Sequence, residues 1–424
     1  MFAAQDDAGP DEVHGAIEGS SWVREISSGG WWVLLSATLA WTFEVYDLAI
    51  ISVLTPVLLK VFHLTKAEMG LVTSAAAFGS IIGGIAFGYI ADRFGRVRTL
   101  YAAILIYSAF TGLILFSSGL TELLILRFLG GLGMGGAWAA GAALVAESLP
   151  PRHRGKGGAI MQSGLPLGQI LAIALSAVVT QASGGLEGGA WRWLIGFGAL
   201  PAIILLPIIL RTPESPIWLA GRNTPRTGTK STGRLFTREL LIAFIFIFFV
   251  QFVFWGVSSW TPTFLVTVKH MTFLKSLGFL LAQQIGTLLG FVALAALIDR
   301  IGRRYTFLLY LLIGAAALGV FIFADQPQLL LLATSLVGFG LGGIFGGLGP
   351  FLAELLSSSG NRAFGMALAY NGGRTGALIA PVLVGAMGNT EAGFQLGMSL
   401  TGVALVAAAI TIVFAPETKG RVLS

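Results

Sequence analysis

The chain has 424 residues, of which 55% are hydrophobic and only 11% charged, with a mean hydropathy of +0.84. A water-soluble domain carries about 25% charged residues to solvate its surface, so this composition excludes an ordinary soluble protein and calls for a bilayer as solvent. The 26 Lys and Arg outnumber the 20 Asp and Glu to give a net charge of +6, and the lack of Cys excludes disulfides, thiol catalysis and thiolate metal sites.

In chain order, residues 1–30 hold Asp6, Asp7, Asp11, Glu12, Glu18 and Glu25 against Arg24. A cleavable signal would begin with a basic segment before an apolar core, so this stretch reads as a mobile cytoplasmic acidic tail. Apolar runs long enough to cross a bilayer, roughly 20 residues each, then follow over 31–59, 68–90, 99–117, 120–147, 157–182 and 192–210. A polar, basic stretch with Gly and Pro, carrying Arg222, Arg226, Lys230 and Arg234, reads as a cytoplasmic loop over 212–238. Six more runs occupy 239–265, 273–298, 305–323, 328–355, 363–387 and 391–414. The expected fold is all-α and integral to the membrane. It has twelve transmembrane helices in two six-helix bundles, 31–211 and 239–416, and a cytoplasmic tail over 417–424. The runs are continuously apolar, unlike the alternating strands of a porin-type barrel, and the 58 glycines suit closely packed membrane helices.

The charge distribution sets an orientation. Nineteen of the 26 basic residues fall on the first tail, the even-numbered turns and the C-terminus, whereas Lys60, Lys66, Arg192, Lys269 and Lys275 lie on the other side. Positive residues stay on the cytoplasmic side, which puts both termini in the cytoplasm of a cell membrane. The basic balance is therefore a topology signal and not a nucleic-acid footprint. The lipid bilayer is the partner, and the chain is expected to act as a monomer.

The halves repeat. At an offset of 207, Asp92-Arg93-Phe94-Gly95-Arg96 falls on Asp299-Arg300-Ile301-Gly302-Arg303, Gly131 to Gly136 on Gly338 to Gly343, and Glu147 on Glu354. Such internal repeats are the usual architecture of alternating-access transporters. Asp92 at a helix end can accept N–H bonds from the next helix start. Arg93 and Arg96 can pair with Glu147, and Arg300 and Arg303 with Glu354. These mirrored charges would hold one conformation shut and release in the other; simple solvated loop charges are the alternative.

The segments Gly88-Tyr-Ile-Ala-Asp92-Arg93-Phe-Gly95-Arg96-Val-Arg98, Arg127-Phe-Leu-Gly130-Gly131-Leu-Gly133-Met-Gly135-Gly136, Pro213-Glu214-Ser215-Pro216 and Pro416-Glu417-Thr418-Lys419-Gly420-Arg421 resemble the motifs of the major facilitator superfamily. The second copy of the first motif departs from it by having Ala295 in place of the leading glycine. The resemblance covers essentially the whole chain. The last two motifs are similar to those of sugar porters and related organic-acid symporters.

Few charges interrupt the spans. Each costs at least about 2.5–3.5 kcal/mol on insertion scales, so each is a functional candidate. Glu44 and Asp47 lie in the first helix, Arg127 in the fourth and Arg374 in the eleventh. Glu44 and Asp47 are spaced i, i+3 and share a helix side. Two close carboxylates in low dielectric cannot both ionise cheaply, which suits a carrier that loads and unloads a proton. Arg127 is their natural counter-ion. The segment Tyr46-Asp47-Leu-Ala-Ile-Ile-Ser52 also resembles the first helix of proton-coupled sugar porters, which implies Asp47 as proton carrier and Arg127 as its switchable partner. A static ion pair and a substrate contact are the competing readings.

Arg374 follows Asn371-Gly372-Gly373, and no second-half span has a central acid to neutralise it. A substrate carboxylate could do so bidentately; otherwise helix carbonyls or Glu44 would. Polar and aromatic residues that could complete the cavity are Gln162 and Gln169, Gln251 with Trp255, Gln283 and Gln284, and Tyr370 with Asn371. Tyr46 could join them, and Trp41, Phe43 and Trp138 could form walls. Buried amides are also common helix–helix glue.

The seventh span lacks the Gln-Leu-Ser-Gly-X-Asn-like run of sugar porters. Its Trp260-Thr-Pro262-Thr-Phe264-Leu265 and the later Gly373-Arg374-Thr-Gly-Ala are similar to organic-acid:proton symporters of aromatic acids, sialic acid and monocarboxylates. The expected function is proton-coupled symport of a small carboxylate, with a sugar or polyol symporter as the alternative. No enzyme, metal or cofactor is expected. His63, His153 and His270 fall in loops, and the glycines of 130–136 lie inside a span, where they cannot cradle a phosphate. A sensor is disfavoured because the central loop is too short for an extra domain.

Overall fold

A continuously apolar segment has no water to satisfy its backbone, so it must close its N–H···O=C bonds internally as a helix. A computed structural model describes residues 22–150, 153–221, 237–356 and 362–419, and no strand occurs among them. Most of the acidic tail expected over 1–30, the middle of the loop expected over 212–238, and residues 420–424 lie outside the described residues.

Among the described residues, twelve helices are long enough, singly or as stacked segments, to cross a membrane. The first six are α1 (Ser28–Val61), α2 (Lys66–Phe94), α3 (Arg96–Phe116), α4 (Leu120–Ser148), α5 (Arg154–Ser183) and α6 (Trp191–Ile209). The others are α7 (Arg238–Thr267), α8 (Phe273–Ile301), α9 (Arg303–Phe323), α10 (Pro327–Leu355), α11 (Arg362–Gly373 continued by Thr375–Met387) and α12 (Glu391–Val413). Eleven of the spans are uninterrupted enough to qualify by length and composition alone. The remaining one, α11, is divided by a turn at Arg374, whose N–H is shared between the carbonyls of Tyr370 and Asn371. The start of α2 is fixed by a reciprocal cap: Glu68 N–H donates to Thr65 Oγ1 at 3.2 Å, and Thr65 N–H donates to Glu68 Oε2 at 2.7 Å.

The repeat seen in the sequence is a packing repeat. Gly79 and Gly83 of α2 face Gly131 and Gly135 of α4, and their counterparts Gly286 and Gly290 of α8 face Gly338 and Gly342 of α10. A Cβ on Gly135 would fall inside contact distance of the Ser80 carbonyl oxygen, and one on Gly338 would meet that of Gln283. Because backbone and not a flexible side chain stands in the way, Gly135→Val is expected to cost about 3 kcal/mol or more, the upper end of overpacking. Thermal unfolding in detergent would show it as a lowered Tm; an unchanged Tm would contradict this close approach.

The two halves meet along α2 and α11, on the side away from the arginine-rich turns. Lys66 Nζ donates to Gly388 O at 2.7 Å, and Ser74 Oγ donates to Leu378 O at 2.6 Å. Helix α1 also packs on α7, and α5 on α8.

Two stretches read as loop or tail are more ordered than expected. Residues 22–25 form a short helix, and Glu25 Oε2 lies 2.6 Å from His153 Nε2. Residues 213–221 fold back under the first half and end in a short helix, Pro216–Gly221.

Candidate functional site

The buried charges predicted from sequence come together at the centre of the molecule. Asp47 is 0% exposed and Arg127 is 2% exposed, and their side chains form an ion pair between Arg127 Nη1 and Asp47 Oδ2 at 2.7 Å. The second Asp47 oxygen accepts from Thr111 Oγ1 of α3 at 2.7 Å. Both carboxylate oxygens are thus occupied, which lets a buried charge persist in low dielectric. Thr111 escaped the sequence reading because a threonine in an apolar helix ordinarily bonds its own backbone, and nothing in its pattern marks it as a ligand.

Glu44, three residues earlier, diverges from Asp47. It lines a narrow central cavity of about 40 Å³, together with Trp41, Ser52, Arg127, Trp255 and Arg374. Arg374 is held by rings: its guanidinium carbon lies 5.7 Å from the ring centroids of both Trp138 and Tyr370. Those rings belong to opposite halves and stack at 4.8 Å with an interplanar angle of 8° on the side of the arginine-rich turns. Trp138 is oriented by an Nε1–H bond to Gln162 Oε1 at 3.3 Å and by the edge of Trp41. Arg374 Nη1 and Glu44 Oε2 are both buried with no hydrogen-bond partner.

The other predicted cavity residues divide. Trp255 lines the central cavity and also a second cavity, which holds Gln169, Gln283 and Gln284 and shares Ser52 and Trp255 with the first. Gln251 accepts from Trp255 Nε1 at 2.9 Å and lies within hydrogen-bonding reach of Tyr370, so it braces the aromatic wall. Asn371 packs against Gly84 of α2. Tyr46 is placed differently from the expectation: it is fully buried, and its hydroxyl donates to Leu194 O at 2.6 Å, pinning α1 to α6. Position 46 lies on a different side of α1 from the cavity-lining positions 44, 48 and 52. Among the described residues no cluster of His, Asp or Glu could hold a metal ion.

The loop charges form two matching networks. Arg96 makes a bidentate pair with Glu147, at 2.9 and 3.0 Å, and a contact with Asp92 at 3.0 Å. Arg303 repeats this with Glu354 at 2.8 Å twice and with Asp299 at 2.8 Å. The N–H groups that open α3 are accepted by Glu214 and not, as expected, by Asp92; Glu417 does the same at the start of α9. Ser215 and Thr418 hydroxyls complete the networks on Glu147 and Glu354. Arg93 lies outside this arrangement, over the ring of Phe94, and Arg300 contributes its carbonyl to Lys419 Nζ. Gly95 and Gly302 supply the turns at φ +104° and +94°, where a side chain would also strike the Glu214 or Glu417 carboxylate.

Burial disfavours the Glu417 carboxylate, but the N–H groups of Lys419, Arg303, Arg304 and Thr418 outweigh it and hold the group below its ordinary range. A folded-state value below the unfolded one stabilises the protein above the ordinary glutamate value of about 4.3, and the gain is lost as pH falls below that through the folded value. Glu417→Gln is therefore expected to lower stability at pH 7 by about 1 kcal/mol after solvent screening. The difference in Tm from the unaltered chain should close on acidification toward pH 3, and a difference that widens there would oppose the assignment.

Two repeated six-helix halves around a charged central cavity define a multi-pass membrane transporter. The family profile described as Major Facilitator Superfamily matches residues 33–283 and 278–423, and the chain belongs to that family. It is 33% identical over 385 residues to the probable 4-methylmuconolactone transporter of Cupriavidus pinatubonensis, covering 90% of this chain and 89% of the relative. It is 30% identical over 420 residues to the niacin transporter of Acinetobacter baylyi, covering 91% and 93%. Among solved structures, a D-xylose–proton symporter aligns with a TM-score of 0.77 at 24% identity, over 93% of this chain and 99% of that one, a likeness of fold.

Proposed function

We propose that the protein is a proton-coupled symporter of a small organic carboxylate, working by alternating access with its arginine-rich turns and both termini in the cytoplasm. The observation that carries this reading is Arg374. A guanidinium faces the central cavity, held by two aromatic faces, and no carboxylate completes its Nη1. A planar carboxylate matches its fork of donors. The niacin transporter among the relatives supports an acid, because niacin is itself a carboxylic acid.

In this reading Asp47 is the proton carrier and Arg127 its partner. Protonation of Asp47 dissolves the ion pair, so Arg127 must find another acceptor, and α1, α3 and α4 repack. The networks around Arg96–Glu147 and Arg303–Glu354 are the cytoplasmic latches of one conformation. Gln169, Gln283 and Gln284 line the annex that takes the polar remainder of the substrate, and Gln162, Gln251, Tyr370 and Asn371 hold the walls around Arg374.

Uptake into liposomes under an imposed pH gradient tests the whole. A small carboxylate such as nicotinate should accumulate, and D-xylose should not. Accumulation of xylose or a polyol without any carboxylate would replace this reading with the sugar alternative.

A further inference from the structure

We infer that Glu44 takes up a proton as the substrate binds and donates it as a hydrogen bond to the substrate carboxylate, opposite Arg374. This rests on the reading of Arg374 as the anion site and adds a second proton-carrying group with a different task from Asp47.

Glu44 and Arg374 line one cavity, yet no ion pair joins them among the described residues. Glu44 is 1% exposed with Oε2 unpartnered, and Arg374 Nη1 is likewise buried and unpartnered. Arg374 rests instead against Trp138 and Tyr370, its guanidinium carbon 5.7 Å from both ring centroids. An acid and a base thus line the same cavity, each with an unused hydrogen-bonding atom.

Charge counting gives the consequence. Arg127 is neutralised by Asp47 at 2.7 Å. The charged and titratable groups around Glu44 are Asp47 on its own helix, Tyr107 from α3, Arg127 from α4, and Tyr370 and Arg374 from α11. Helices α2 and α7 present Thr73, Ala77, Ser80 and Trp255 to the cavity, all uncharged. With the cavity empty, an ionised Glu44 would balance Arg374. A substrate carboxylate at Arg374 adds a second negative charge close to Glu44, and like charges repel strongly at protein-like dielectric. One proton from solvent, bound to Glu44, restores neutrality. It also turns the repulsion into an O–H···O⁻ bond, the short and strong kind. No bond other than O–H forms, and one proton enters with each anion.

Calorimetric titration of the purified full-length protein with nicotinate, benzoate and acetate, in buffers of different ionisation enthalpy, reads the proton directly. We expect uptake of about one proton per anion bound, with affinity falling about tenfold per pH unit wherever Glu44 is ionised in the empty protein. Glu44→Gln, which keeps the shape and the hydrogen bond, should bind the anion with no proton uptake and no such pH dependence. Glu44→Asp should restore the uptake. Carboxylate binding without proton uptake in the unaltered protein, or undiminished uptake in Glu44→Gln, overturns the role of Glu44 and leaves the anion site standing. Failure of the unaltered protein to bind any of the three acids overturns both.

Discussion

Asp47→Asn is expected to abolish accumulation driven by a pH gradient while leaving counterflow exchange measurable. The asparagine keeps the shape of the side chain, and its one amide oxygen can still accept from Arg127 while its NH2 group donates to Thr111 Oγ1, but it cannot release and rebind a proton. The variant also leaves Arg127 as a buried cation at 2% exposure without its counter-ion. Breaking a buried pair by removing one charge typically costs about 3–5 kcal/mol, and the retained amide oxygen recovers part of that, so Tm should fall as well. The double variant Asp47→Asn with Arg127→Gln separates the two effects: it should recover Tm but not accumulation. Full accumulation in Asp47→Asn would mean that the pair is a static strut between α1 and α4.

Arg374→Ala should remove measurable carboxylate binding. Two charge-assisted hydrogen bonds in a largely enclosed cavity are worth about 3 kcal/mol or more together, on the order of 100-fold or more in Kd. Arg374→Lys keeps the charge but loses the planar fork and its stacking on Trp138 and Tyr370, so it should recover only part of the affinity. A thermal-shift titration with nicotinate reads both variants. If Arg374→Ala binds the acid as tightly as the unaltered protein, the cation belongs to the fold, as a brace between α11 and the aromatic stack, and not to the site.

The paired loop networks show how a repeat that looks symmetric serves an asymmetric cavity. Glu147 and Glu354, Glu214 and Glu417, Ser215 and Thr418 occupy matching places around Arg96 and Arg303. The central charges have no such mates. The first half contributes Glu44, Asp47 and Arg127, and the second contributes Arg374. A duplicated scaffold can open and close about a pseudo-twofold axis while its two halves bind different ions.

The spans, the repeat and the identity of the buried charges were legible in the residues alone. Twenty apolar residues can do little in a bilayer but form a helix, and an ionisable residue within them stands out because its burial is costly. Matching the few charges named Arg127 as counter-ion to the two acids of the first helix, and the resemblance of that helix to proton-coupled sugar porters singled out Asp47. Tertiary structure alone decided which way each side chain points. An i, i+3 spacing put Glu44 and Asp47 on one side of α1, but only the positions of α3 and α4 turn Asp47 toward Thr111 and Arg127 and leave Glu44 to the cavity. Tyr46 read as a cavity residue and is a bolt to α6, because its one hydrogen bond crosses 148 residues of chain to Leu194. Trp138 and Tyr370 are ordinary aromatics in their own helices. They hold Arg374 only because the two halves bring them face to face, and contacts between segments hundreds of residues apart leave no periodic trace in either one.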